Sequence, residues 1–207
     1  MKIGIIGDGF FAKEIEAYCI GCAIGCPIVG FDISLYSEHT KIILGSGKPP
    51  IKKNMLSEIN FEPKFISVVV GANYGRVNEG SVIAPGAVVG PHSEIGKHVL
   101  INYNATVGHD TFVGDLSVIS PNSAVGGNCN IGESVYIGAG SCIKENLIIG
   151  QNTVIGMGAV VTKNVPNNSV VVGNPGMVFH RDEWDQIKKQ LSKEITIKVD
   201  ILRNCYE

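Results

Sequence analysis

The chain has 207 residues, enough for one or two domains, and a formal charge of −2. That charge balance argues against a broad nucleic-acid-binding surface. No apolar run reaches membrane-spanning length, and Asp8, Lys13, Glu14 and Glu16 interrupt the apolar N-terminus, so the expected setting is the cytoplasm.

Lys2 to Ile6 reads as a buried strand, followed by the turn Gly7-Asp8-Gly9. An amphipathic helix is predicted from about Phe11 to Ile20, with Ile15 and Cys19 on one face. Pro27 to Ile33 reads as a second strand. Ser34 to Pro50 reads as loop with a short strand at Lys41 to Leu44, then a short helix from Ile51 to Ile59. Ile66 to Val70 is a strong apolar strand. Residues 1–76 thus read as a small Rossmann-like βαβ domain of the α/β class. Cys19, Cys22 and Cys26 lack an obvious fourth ligand; they read as small apolar thiols in a reducing compartment, and no metal is expected.

From Val77 to Pro166 the chain divides into units of six, such as VGHDTF, VGDLSV and IGESVY. Each unit through Val161 opens with Ile or Val, and the fifth place is usually small, as at Ser81, Ala87, Ser93 and Ala105. Fixed-period self-similarity marks a stacked repeat. A helix would drift off phase at 3.6 residues per turn. A short strand with a Gly- or Asn-bearing corner fits six, and three such strands make one triangular coil, stacked by parallel ladders. This prism is predicted over 77–178. Residues 179–207 form a C-terminal helix and tail: a helix from Arg181 to about Ser192, with Trp184, Ile187 and Leu191 on one face, and a strand through Ile195, Ile197 and Val199.

Of five histidines, His109 stands out, because it takes the third place of VGHDTF with Asp110 beside it. One coil is 18 residues, so Gly127 lies directly above it. An imidazole and a side-chain-free amide one ladder spacing apart supply a base and an oxyanion donor, the two requirements of acyl transfer. A nearby carboxylate can fix the tautomer.

Five stretches carry a family resemblance: INYNATVGHDT at 101–111, GGN at 126–128, IGAG at 137–140, GMGAVVT at 156–162 and VGNP at 172–175. With them, the chain resembles the bacterial hexapeptide-repeat sugar acetyltransferases, including the bacillosamine-pathway N-acetyltransferase and the sialic acid O-acetyltransferase. The resemblance implies a left-handed parallel β-helix, acetyl-CoA as co-substrate, and a homotrimer with sites between prisms. It makes His109 the general base, with Asp110 beside it, and Gly127 the amide that meets the thioester carbonyl. It gives Asn102 a place against the acceptor, and Ala139, Met157 and Gly158 a place against the pantetheine arm. Val118 stands where some members carry a second histidine of the cofactor site. The Gly9-Phe10-Phe11 turn and Asp32 match the sugar-nucleotide site, and Gly71 and Asn73 match a Gly-Asn turn followed by Arg76. The chain lacks the helix and strand that members of the family usually insert between that arginine and the first coil.

The expected reaction is N-acetylation of a nucleotide-linked amino sugar in bacterial surface-glycan synthesis. Four alternatives compete. Sugar or sialic acid O-acetylation is favoured by Phe11 in the turn. A dinucleotide site has only a weak G-x-G-x-x-A match and three clear strands. A γ-type carbonic anhydrase would need converging histidines, whereas His92 and His98 are six apart. The last is a scaffold without catalysis.

Overall fold

The computed structural model describes residues 2–7, 9–21, 28–30 and 40–204. Asp8, Cys22, Cys26, Asp32 and His39 lie outside them.

Strands β1 (Lys2–Ile6), β2 (Ile28–Gly30), β3 (Thr40–Leu44) and β4 (Lys64–Phe65) form one parallel sheet in the order β2-β1-β3-β4. Helices α1 (Phe10–Gly21) and α2 (Pro49–Glu58) cover its two faces. On α1, Ala12, Ile15 and Cys19 share a fully buried stripe that packs with Ile3, Ile5 and Ile43. Met55 of α2 packs on Ile6, Ile42 and Leu44. Pro49 opens α2, where its fixed φ suits the first turn and its missing N–H costs nothing.

The repeat builds a β-solenoid of about six turns. Its three sheets hold eight, six and five strands, parallel throughout except for the last strand of the eight. Leu100 pairs with Val118 and Val118 with Tyr136, the predicted step of 18 residues. First-place aliphatics fill the prism: Ile83, Ile95, Ile101, Ile119, Ile131 and Ile137 are fully buried. Each contributes roughly 1.5–3 kcal/mol by burial.

The fifth place holds more than small side chains. Ser93 Oγ accepts the Thr111 amide at 3.2 Å and donates to the Gly108 carbonyl at 2.6 Å. Ser117 repeats the pattern with Val135 and Gly132. These buried hydroxyls tie each coil to the next one up. The fourth place turns the corner with positive φ, at 53° for Asp110 and 55° for Asn128. Asn tolerates that region well, which explains its recurrence there.

The prism starts earlier than the repeat announces. Val68 pairs with Val82 and Ala72 with Val88, steps of 14 and 16 residues. A shortened coil therefore begins at Val68, so residues 68–70 belong to the prism, while the Ile66 amide still bonds the Ile42 carbonyl of the α/β sheet at 3.1 Å. A helix and a strand, α2 and β4, stand between β3 and this coil. The helix is the one predicted over Ile51 to Ile59, and Arg76 itself lies in the first coil, so no helix or strand stands between that arginine and the prism. Beyond the coils, Ser169–Val172 pairs antiparallel with Met177–His180. One helix, α3, then runs Arg181–Asn204 in place of a helix followed by a strand.

The α/β unit sits on one prism face, here the capped face. Val82, Leu100 and Val118 point outward from that face and are buried under α1 and the sheet. The second face presents Val88, Thr106, Ala124 and Cys142, and the third presents Glu94, Phe112, Asn130 and Ile148. Lys52 fastens α2 to the corner between the third and capped faces. It is buried, and its Nζ donates to the His98 carbonyl at 2.6 Å. The Phe65 ring meets the His98 ring edge-on, with centroids 4.3 Å apart.

Burial pushes the Lys52 ammonium down to about 7, and burial together with the Lys52 charge pushes the His98 imidazole down to about 4. Glu79 and Asp115 oppose the His98 shift without cancelling it. Both groups bind protons less well folded than unfolded. Stability should therefore rise with pH from about 4 to 6.5 through His98, and from about 7 to 10.5 through Lys52. Melting temperatures across pH 7 to 10 should climb for the parent chain and stay flat for Lys52→Met. A parent chain that loses stability over that interval would show that the Lys52 charge carries no burial penalty.

Candidate active site at a prism corner

His109 and Asp110 occupy the corner between the second and third faces. His109 Nδ1 lies 2.6 Å from Asp110 Oδ2, and both side chains are more than half exposed. A carboxylate can only accept, so the pair puts the proton on Nδ1 and leaves the Nε2 lone pair free. The left-handed backbone of Asp110 turns the corner at this point.

Gly127 stands directly above. A Cβ built on Gly127 would fall 2.6 Å from His109 Nε2 and 2.9 Å from the neighbouring ring carbons. The imidazole thus fills the volume that a side chain at position 127 would need. The amides on either side of Gly127 are engaged, Gly126 with the Ile143 carbonyl at 2.9 Å and Asn128 with the His109 carbonyl at 2.8 Å. The Gly127 amide donates to no group among the described residues. A free ring nitrogen and an uncommitted N–H therefore lie on adjacent coils of one edge.

Close stacking makes this register obligatory. A Cβ on Gly108 would come within 2.5 Å of the Gly127 amide nitrogen, and one on Gly126 within 2.5 Å of the Glu145 amide nitrogen. The second-place glycines are demanded by the backbone of the coil above. The same edge carries Glu145 one coil above Gly127, with an exposed carboxylate. The sequence reading passed over Glu145, although the 18-residue step that found Gly127 also reaches it.

The other predicted site residues fall elsewhere. Asn102, Ala139, Met157 and Gly158 lie along the corner between the capped and second faces. Asn102 Oδ1 accepts the Tyr103 amide at 2.8 Å, and the Tyr103 ring approaches Tyr18 of α1. Met157 is 78% exposed there, available to a ligand or a second chain. One chain does not bring this corner to His109. Val118 is corrected outright: it is buried beneath the α/β unit with Ile15 and Leu100, beyond reach of a cofactor. Gly71 is half-exposed. It lies in the shortened first coil, where a Cβ would sit 2.4 Å from the Ala87 carbonyl oxygen, so packing between coils explains it. Gly9 and Phe10 are exposed at the start of α1, and nothing lies within 4 Å of a Cβ on Gly9. Phe11 packs partly into the core.

The family model for the bacterial transferase hexapeptide (six repeats) matches residues 128–163. No curated protein sequence matches the chain. Solved structures do. WeeI from Acinetobacter baumannii is 26% identical, with a TM-score of 0.76, over 86% of this chain and 100% of its own. The acetyltransferase domain of PglB from Neisseria gonorrhoeae, in complex with acetyl coenzyme A, is 25% identical over 86% and 98%, with a TM-score of 0.76. PerB from Caulobacter crescentus, in complex with CoA and GDP-perosamine, shares the fold at 23% identity and a TM-score of 0.78, over 86% and 97%. Among the described residues, no helix is long and apolar enough to cross a membrane. In repeat and fold, the chain resembles the left-handed β-helix sugar acetyltransferases.

Proposed function

We propose that this protein is an acetyl-CoA-dependent N-acetyltransferase acting on a nucleotide-linked amino sugar. The observation that carries the proposal is the placing of His109 Nε2 against Gly127, with Asp110 holding the opposite ring nitrogen at 2.6 Å. The bound molecules of the similar structures support it: CoA and GDP-perosamine in PerB, and acetyl coenzyme A in the PglB domain.

The sugar amine attacks the thioester carbonyl carbon. As the C–N bond forms, His109 Nε2 takes the amine proton. The carbonyl oxygen becomes an oxyanion and accepts a hydrogen bond from the Gly127 amide. The C–S bond then breaks, and the sulfur leaves with the proton that the imidazolium returns. Asp110 positions the ring and stabilises its charged form.

Asn102, Ala139, Met157 and Gly158 enter this scheme only from a second copy. We therefore extend the proposal to a cytoplasmic homotrimer whose sites lie between prisms. The second and third faces supply exposed apolar side chains for such contacts, including Val88, Phe112 and Ile148. Sedimentation should give a trimer, and a fully active monomer would overturn the shared site. The activity itself is tested by CoA release across a panel of nucleotide-linked amino sugars and free sialic acid. Turnover of sialic acid alone would replace N-transfer by O-transfer, the reaction that Phe11 in the turn favours.

A further inference from the structure

A cleft of about 630 Å³ opens between the start of α2 and the capped face. That is the size of a small-molecule site. Pro50 and Ile51 form one apolar side, and Tyr136 and Val154 form another. Lys48, Lys53 and Arg181 also line it, and no carboxylate does. Neither lysine ammonium meets a carboxylate among the described residues. The Arg181 guanidinium is steadied by the Asn152 carbonyl at 2.6 Å, which leaves its other N–H groups available. Ser134 also lines the cleft, and its Oγ is buried without a hydrogen-bond partner. A buried hydroxyl left unpaired is costly, and a ligand would relieve it.

We infer that this cleft binds a nucleoside diphosphate. Its apolar walls suit a flat base. Three cations match the charge of a diphosphate, which a single carboxylate would leave unbalanced. The Gly7–Phe11 turn contributes no residue to the cleft, so the site is separate from the expected one at α1. The inference rests on the transferase proposal only for its natural source. Both the acceptor and the donor CoA of that reaction carry a nucleoside diphosphate.

Titration calorimetry of the full chain with UDP, GDP and ADP tests it. Lys48 and Lys53 are exposed, so the double variant Lys48→Ala/Lys53→Ala should fold normally. It should weaken nucleotide binding about tenfold or more, as expected for lost charge-assisted contacts. Val154→Trp, which fills the cleft, should abolish binding. CoA displacing the bound nucleotide would make the donor the source, and failure to displace it would make the acceptor the source. Unchanged affinity in both variants, or affinity lost in Gly9→Val alone, would overturn the inference. So would the absence of binding by all three nucleotides at millimolar concentration. A nucleotide held in the cleft of a protein that transfers no acetyl group would leave the inference standing and sink the transferase proposal.

Discussion

Replacing His109 by Ala is expected to lower kcat by roughly 10²–10⁴-fold, the usual contribution of a positioned general base. Acetyl-CoA affinity should hardly change, because the proton acceptor works in the chemical step. The side chain is exposed at a corner and takes no part in the prism core, so the variant should fold and melt as the parent does. Asp110→Asn should cost less. Asn keeps the left-handed corner, as it does at Asn122 and Asn128, and loses only the charge that supports the imidazolium. Single-turnover kinetics with saturating acetyl-CoA would separate the chemical step from release. A His109→Ala variant at near-parent rate would move the base to another residue.

Gly127→Ala should do nearly as much damage by a different route. The backbone at 127 is not in the left-handed region, so Ala meets no conformational penalty. Its Cβ would lie 2.6 Å from His109 Nε2, and the imidazole must swing away. A displacement of about 1 Å at a reacting group can cost on the order of 10²-fold in rate. Gly108→Ala supplies the contrast. Its Cβ would meet the Gly127 amide nitrogen at 2.5 Å, and backbone cannot swing aside. That variant should lose stability, about 1–3 kcal/mol for overpacking, along with activity. Melting curves and kcat measured together should therefore separate the two glycines. Parent-like kcat in Gly127→Ala would show that the imidazole does not work from the position it occupies beneath Gly127.

The prism was legible because its period is short and its core is a single row. Every first-place aliphatic enters the same axis, so the pattern repeats without tertiary interference. The stacking of Gly127 above His109 followed from that period alone, and the close approach of ring and glycine agrees with it. The start of the prism was not legible. Its first coil takes steps of four residues from Val68 to Ala72 to Arg76, and a six-residue rule slides past them. The same slip left Gly71 outside the prism, whereas the helix predicted over Ile51 to Ile59 is present as α2.

Val118 failed for a different reason. A sixth-place residue points outward on every face, and only the packing of α1 decides that this one is covered. Likewise, periodicity could place Asn102 and Met157 on a corner but could not bring that corner to His109. Lys52 shows the limit of composition: a lysine in a polar-looking helix is normally solvated, and here it is buried against the His98 carbonyl.

The most direct test of the central claim is the mass and NMR spectrum of the product made from acetyl-CoA and a nucleotide-linked amino sugar. The account predicts one acetyl group on the amine nitrogen of the intact nucleotide sugar, formed by the parent chain and at a rate lowered at least about 10²-fold in His109→Ala. An acetyl ester on a hydroxyl, or an N-acetylated product formed equally well without His109, would contradict it.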